Sequence, residues 1–252
     1  MAYIEAFSQL PPGMFWLVVG VFTLAGVVKG VVGLGLPTIS MALLALFMAP
    51  VQAAALLIIP SLVTNVWQTR PLRVLMPLLR RVGGMQLGIG AGTVAGAIVL
   101  GAPAGAWASI SLGVVLLAYA VWGFFGKPFH VPAHMEKWLG PVAGITTGFV
   151  TAGTGVFVVP AVPYLQALGL GRDDLIQTMG VSFSVSTVAL AAGLWINDSY
   201  SFGAAGASLV MLAPALAGMY AGQLLRQSLS PKVFRYCMFG SLALLGVYLV
   251  WA

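Results

Sequence analysis

The sequence predicts an all-α polytopic membrane protein made of two inverted repeats, each of five hydrophobic segments. Three observations carry that prediction. The chain is 60% hydrophobic and 6% charged, whereas soluble domains carry roughly 25% charged residues. Apolar runs of membrane-crossing length recur from end to end. Two glycine-rich stretches, Gly26-Val-Val-Lys-Gly30-Val-Val-Gly-Leu-Gly35 and Gly144-Ile-Thr-Thr-Gly148-Phe-Val-Thr-Ala-Gly153, stand 118 residues apart in register. No polar stretch is long enough for a separate soluble domain. Residues 1–252 therefore read as a single transmembrane domain, with repeat 1 over about 14–124, a cytoplasmic linker over 125–137 and repeat 2 over about 138–252.

Glycines, prolines and charges divide the chain into segments at 14–29, 34–48, 51–68, 84–101, 105–124, 138–152, 155–169, 174–196, 204–225 and 233–251. The first two of each half are short and glycine-broken. At 1.5 Å per residue such a helix reaches roughly 24 Å, against about 30 Å of hydrocarbon. Each short pair is either a re-entrant hairpin or a tilted double crossing, giving eight to ten membrane segments. The breaks fall at Lys29-Gly30 and Gly153, with a helix resuming near Pro37 in one half and near Thr154 in the other. A helix interrupted at matching points in two halves points to a transport site. Gly92-Thr-Val-Ala-Gly96 matches Gly218-Met-Tyr-Ala-Gly222 at an offset near 126, the small-residue spacing that lets helices approach closely within one chain.

An odd number of segments per half turns the second half upside down, and the charges agree. With both termini outside, all eleven Lys and Arg residues fall on the inner side, as the positive-inside tendency requires. The net charge of +6 is thereby read as topology anchoring, not as a nucleic-acid footprint. The single Cys237 excludes an intrachain disulfide, and residues 1–13 lack the basic start of a removable signal peptide.

Lys29 is the sharpest candidate residue. An ammonium at a helix centre costs roughly 2.5–3.5 kcal/mol on insertion scales, so it either reaches the headgroups from the end of the first segment or attracts an anionic substrate. Gly30, Gly33 and Gly35 form the first elbow. Pro37 and Thr38 mark a helix start whose free N–H groups and partial positive charge would face the break. In the second elbow, Thr147, Thr151 and Thr154, with Gly153 and Gly155 and the neighbouring Thr146, either donate to oxyanion ligands or bond back to helix carbonyls. Asn65 and Gln177 are amides in apolar sequence that line a site or join helices. At most two of Ser182, Ser184 and Ser186 share a helix face.

Absences narrow the function. The five acids, Glu5, Glu136, Asp173, Asp174 and Asp198, map to loops or ends, leaving no intramembrane carboxylate to carry protons or bind Na⁺. His130 and His134 lack the glutamate of a zinc-protease helix and read as a solvated loop. No Walker A motif or Gly-x-Ser-x-Gly is present. An enzyme is not expected, nor any metal or cofactor. A passive anion channel is the alternative to a carrier.

Gly30-Val-Val-Gly33-Leu-Gly35-Leu-Pro37, its partner Thr147-Gly148-Phe-Val-Thr151-Ala-Gly153-Thr154-Gly155 and the later Gln177-Thr-Met-Gly180-Val-Ser-Phe-Ser184 resemble the paired motifs of the sulfite exporter TauE/SafE family. The resemblance spans essentially the whole chain. It implies a bacterial inner-membrane transporter of small anions, such as sulfite or organosulfonates like sulfoacetate, with the lipid bilayer as its surroundings. The site expected from these residues is a midplane one where the two elbows meet.

Overall fold

A computed structural model of the chain describes residues 12–33, 35–70, 75–103, 105–126, 129–225 and 231–251. Among the described residues there are ten helices and no strand. They are α1 (Pro12–Val32), α2 (Leu36–Leu44), α3 (Pro50–Gln68), α4 (Leu75–Leu100), α5 (Gly105–Phe125), α6 (Ala133–Thr154), α7 (Ala161–Ala167), α8 (Arg172–Ile196), α9 (Phe202–Leu225) and α10 (Pro231–Trp251). Glu5, Arg73, Lys127 and Arg226 lie outside the described residues.

Six helices, α1, α3, α4, α5, α8 and α9, are long and apolar enough to cross a membrane. The protein is a multi-pass membrane protein. Helix α6 is 22 residues long, with His134, Glu136 and Lys137 in its first turns, and stands outside those six. Helices α2 and α7, at 9 and 7 residues, reach only about 13 and 10 Å and cannot cross a hydrocarbon core of about 30 Å.

These lengths correct the expected break points. Helix α1 runs through Lys29 and Gly30 to Val32, and the chain turns at Gly33 and Gly35, where φ is 79° and 115°. Helix α6 likewise runs through Gly153 to Thr154, where a helix start was expected. It is closed there by Gly155 at φ 70°, before an irregular stretch leads to α7. Each half thus opens with a full-length helix followed by a short one. Glycine tolerates the left-handed backbone that these turns require.

The glycines kept inside helices are packing surfaces. A Cβ at Gly26 would stand 2.9 Å from the Met219 nitrogen, and one at Gly30 would stand 2.8 Å from the Gln223 nitrogen. From the other side, a Cβ at Gly218 or Gly222 would stand 2.9 Å from the carbonyl carbon of Thr23 or Val27. Contacts that climb both helices together make α1 and α9 parallel. The same pattern joins α6 to α4: a Cβ at Gly144 would lie 3.0 Å from the Ile89 nitrogen, and Gly88 and Gly92 meet Pro141 and Ile145. The close contacts are therefore within one chain. Their register differs from the expected one, because Gly88 and Gly92, not Gly92 and Gly96, occupy the places that Gly218 and Gly222 hold, at an offset of 130.

Two further pairs run antiparallel. In α5 and α10, Gly113 faces Gly246 while Gly123 faces Phe239. In α3 and α8, Gln68 bonds to Ile176 while Asn65 bonds to Thr187. The C-terminal end of α3 meets the N-terminal end of α8 through Gln177 and Thr69. The N-terminal ends of α4 and α6 meet through Arg81 and Glu136. Helix ends bearing described basic residues thus gather at one end of the bundle.

Candidate functional site

Lys29 lies in the last turn of α1, on a stretch of helix pressed against α9 by Gly26 and Gly30. Its side chain is 3% exposed and does not reach solvent. The Nζ donates a hydrogen bond to Asn65 Oδ1 on α3. Asn65, fully buried, passes its own Nδ2 to Thr187 Oγ1 on α8 at 3.3 Å, and the Thr187 hydroxyl donates to the Phe183 carbonyl at 2.7 Å. A polar relay therefore crosses from α1 through α3 to α8 in the apolar interior. Among the described residues, Lys29 has no carboxylate partner, since the one ion pair is Arg81–Glu136.

Both breaks border this relay. Gly33 faces the Gln68 amide, with its Nε2 3.7 Å from where a Cβ would stand, and Ile176 of α8. Gly35 faces Val28, the neighbour of Lys29. Helix α2 then starts with Pro37 in its first turn, and its Thr38 is buried with no hydrogen-bond partner for Oγ1. From the second half, a Cβ at Gly155 would lie 2.9 Å from the Met41 methyl of α2. Beyond it, the Phe157 ring sits 5.7 Å from the Phe183 ring. One turn of α8, Phe183 to Thr187, is therefore touched by the relay from Lys29 and by the chain that follows the second break.

The threonines of the second elbow are differently engaged. Thr146, Thr147, Thr151 and Thr154 donate to the carbonyls of Val142, Ala143, Thr147 and Val150 at 2.9, 2.7, 2.7 and 2.6 Å. A hydroxyl has one proton, and each is spent on the residue four positions back. Thr154 also accepts from the Val156 nitrogen at 3.2 Å, closing the end of α6. Gly153 faces Trp107 and Leu100. Among the described residues, no hydrogen bond joins Thr147, Thr151, Thr154 or Gly153 to the Lys29 relay. Gln177 donates to the Thr69 carbonyl at 2.6 Å, fastening α8 to the end of α3.

Several polar residues on these faces were not singled out from the sequence or were left without a position. Ser61 precedes Asn65 by one turn on α3, is fully buried, and its Oγ has no hydrogen-bond partner among the described residues. Ser186, beside Thr187, shares that condition. Ser182 accepts from Gln86 on α4 at 2.8 Å. Ser182 and Ser186 are buried while Ser184 is only partly so, as helix geometry demands of residues at alternate positions.

At the basic end, Arg81 grips Glu136 in bidentate fashion, with Nε at 2.9 Å and Nη2 at 2.6 Å, and Nη2 also donates to the Leu168 carbonyl at 2.9 Å. Glu136 lies in the first turn of α6, ahead of its apolar stretch. The hydrogen bond from Arg81 holds its carboxyl below the usual carboxylate range. This clasp ties α4, α6 and the residue following α7 together.

No curated protein and no solved structure matches the chain. The family described as Sulfite exporter TauE/SafE matches residues 18–249, nearly the whole chain. With ten helices among the described residues, two of them short and each following a full-length one, the protein is a membrane transporter that belongs to the sulfite exporter TauE/SafE family.

Proposed function

We propose that the protein is a secondary carrier of small anions, among them sulfur oxyanions or organosulfonates, working by alternating access around Lys29. The observation that carries this reading is a buried ammonium bonded to Asn65 with no carboxylate opposite it among the described residues. A buried charge without a counter-charge is strongly unfavourable, and an anion arriving beside it would relieve that cost. The start of α2, with Gly35 and Pro37, adds the partial positive charge of a helix N-terminus close to Val28 and Lys29.

In this reading the chain divides into repeats over about 14–124 and 138–252, joined by a linker at 125–137 and inverted relative to one another. The antiparallel pairs α3·α8 and α5·α10 support the inversion, as does the recurrence of the α1·α9 contact in α6·α4. The positive-inside tendency assigns the basic end to the cytoplasm of a bacterial inner membrane.

The test is flux of sulfite and methanesulfonate into proteoliposomes. Uptake that saturates with concentration is expected from a carrier, and linear flux would make it a channel. Lys29→Ala should reduce flux at least tenfold while the protein still inserts and purifies as a folded species. Unchanged flux would remove Lys29 from the site.

A further inference from the structure

We propose that the site at Lys29 selects singly charged oxyanions over doubly charged ones of similar shape, with Ser61 as a neutral hydroxyl ligand. This rests on the anion-carrier reading and extends it to the charge of the cargo.

Among the residues whose side chains are described, Lys29 is the one buried group drawn from Lys, Arg, Asp, Glu and His. The polar residues of its relay, Asn65 and Thr187, are neutral, as is Ser61 one turn before Asn65 on α3. The ammonium has three protons and the relay uses one, on Asn65. A single negative charge seated there makes the interior neutral. A second has nothing to balance it, and at low dielectric that imbalance dominates over extra hydrogen bonds.

The neutral ligand is identified by contrast along one helix. Thr64 folds its hydroxyl onto the Pro60 carbonyl at 2.6 Å, and on α8 Thr187 does the same to Phe183. Ser61, fully buried, makes no such bond. It lies four residues before Asn65, a spacing that puts both on one face of α3. A buried hydroxyl with a proton to give, on the face that meets the ammonium, suits an oxygen of a sulfonate or hydrogensulfite.

The experiment measures thermal unfolding of the full-length protein in detergent against methanesulfonate and sulfate, at matched ionic strength with chloride as control. Methanesulfonate is expected to raise the unfolding temperature with a Kd about a hundredfold or more below that of sulfate, the scale set by one uncompensated buried charge. Ser61→Ala should weaken methanesulfonate about tenfold, as loss of one ligand hydrogen bond implies, with the ligand-free unfolding temperature unchanged. Sulfate binding as tightly as methanesulfonate, or more tightly, overturns the charge selectivity and leaves the anion carrier standing. Full affinity in Ser61→Ala overturns the role of Ser61. If neither these anions nor sulfite shift the transition, the carrier reading itself falls.

Discussion

Asn65→Ala removes the hydrogen bond that Lys29 makes within the apolar interior, and the expected loss follows from the geometry. The bond is to a charged donor, a class that contributes about 1.5–3 kcal/mol. The second arm of the amide, a long hydrogen bond of 3.3 Å to Thr187 Oγ1, is weak and adds little. With both side chains buried, water cannot replace what is lost. The ligand-free protein should therefore lose about 2–3 kcal/mol. Lys29→Met in that background removes the stranded charge and should restore most of the stability, since replacing buried ionic groups by apolar ones is often neutral or stabilising. The double variant should also lose any response to anions. The assay is a double-mutant cycle on equilibrium unfolding in detergent, with an expected coupling of about 0.5–3 kcal/mol. Wild-type stability in Asn65→Ala, or losses that simply add in the double variant, would refute the reasoning.

Two further outcomes are expected. Gly88→Ala should destabilise the α4·α6 contact by about 1–3 kcal/mol, because its Cβ would stand 2.6 Å from the Pro141 carbonyl oxygen. Gly90→Ala, with nothing within 4 Å, should be tolerated or mildly stabilising, and unfolding of the two purified variants reads the difference. At the basic end, Glu136 has a carboxyl depressed by Arg81. A depressed carboxylate contributes stability that is present above its unfolded pKa and lost as pH falls through its folded one. Wild-type stability should accordingly drop on acidification below the usual carboxylate range. Glu136→Gln should show a shallower drop over the same window, and equal slopes would discount the clasp.

The membrane class, the ten helices and the breaks after each full-length helix were legible because apolar runs and glycine clusters are strong local signals. The exact break was not. Gly30 and Gly33 look alike in sequence, yet Gly30 stays helical because α9 packs against it, while Gly33 takes the left-handed turn. The helix-packing register slipped by one turn for a plain reason. Gly84, Gly88, Gly92 and Gly96 form a ladder with a spacing of four, and any adjacent pair fits a Gly-x-x-x-Gly motif. Lys29 and Asn65 stand out as polar residues in apolar sequence, and the structure joins them. Thr187 does not, since a threonine in a membrane helix is ordinary until its neighbour across the helix interface is known. The sequence leaves the second-elbow threonines either donating to a ligand or bonding back to carbonyls four residues earlier, and that local bond is the one formed.

Among the described residues, the Arg81–Glu136 clasp has no equivalent in the α1·α9 contact. The residues in the matching places, Met211 and Val18, are both apolar and wholly buried. Dissolved ions weaken the first kind of closure and leave the second intact. The two helix contacts are therefore held by unlike forces, one ionic at the surface and one apolar. Added salt should accordingly loosen the α4·α6 contact at its basic end while the α1·α9 contact keeps its strength.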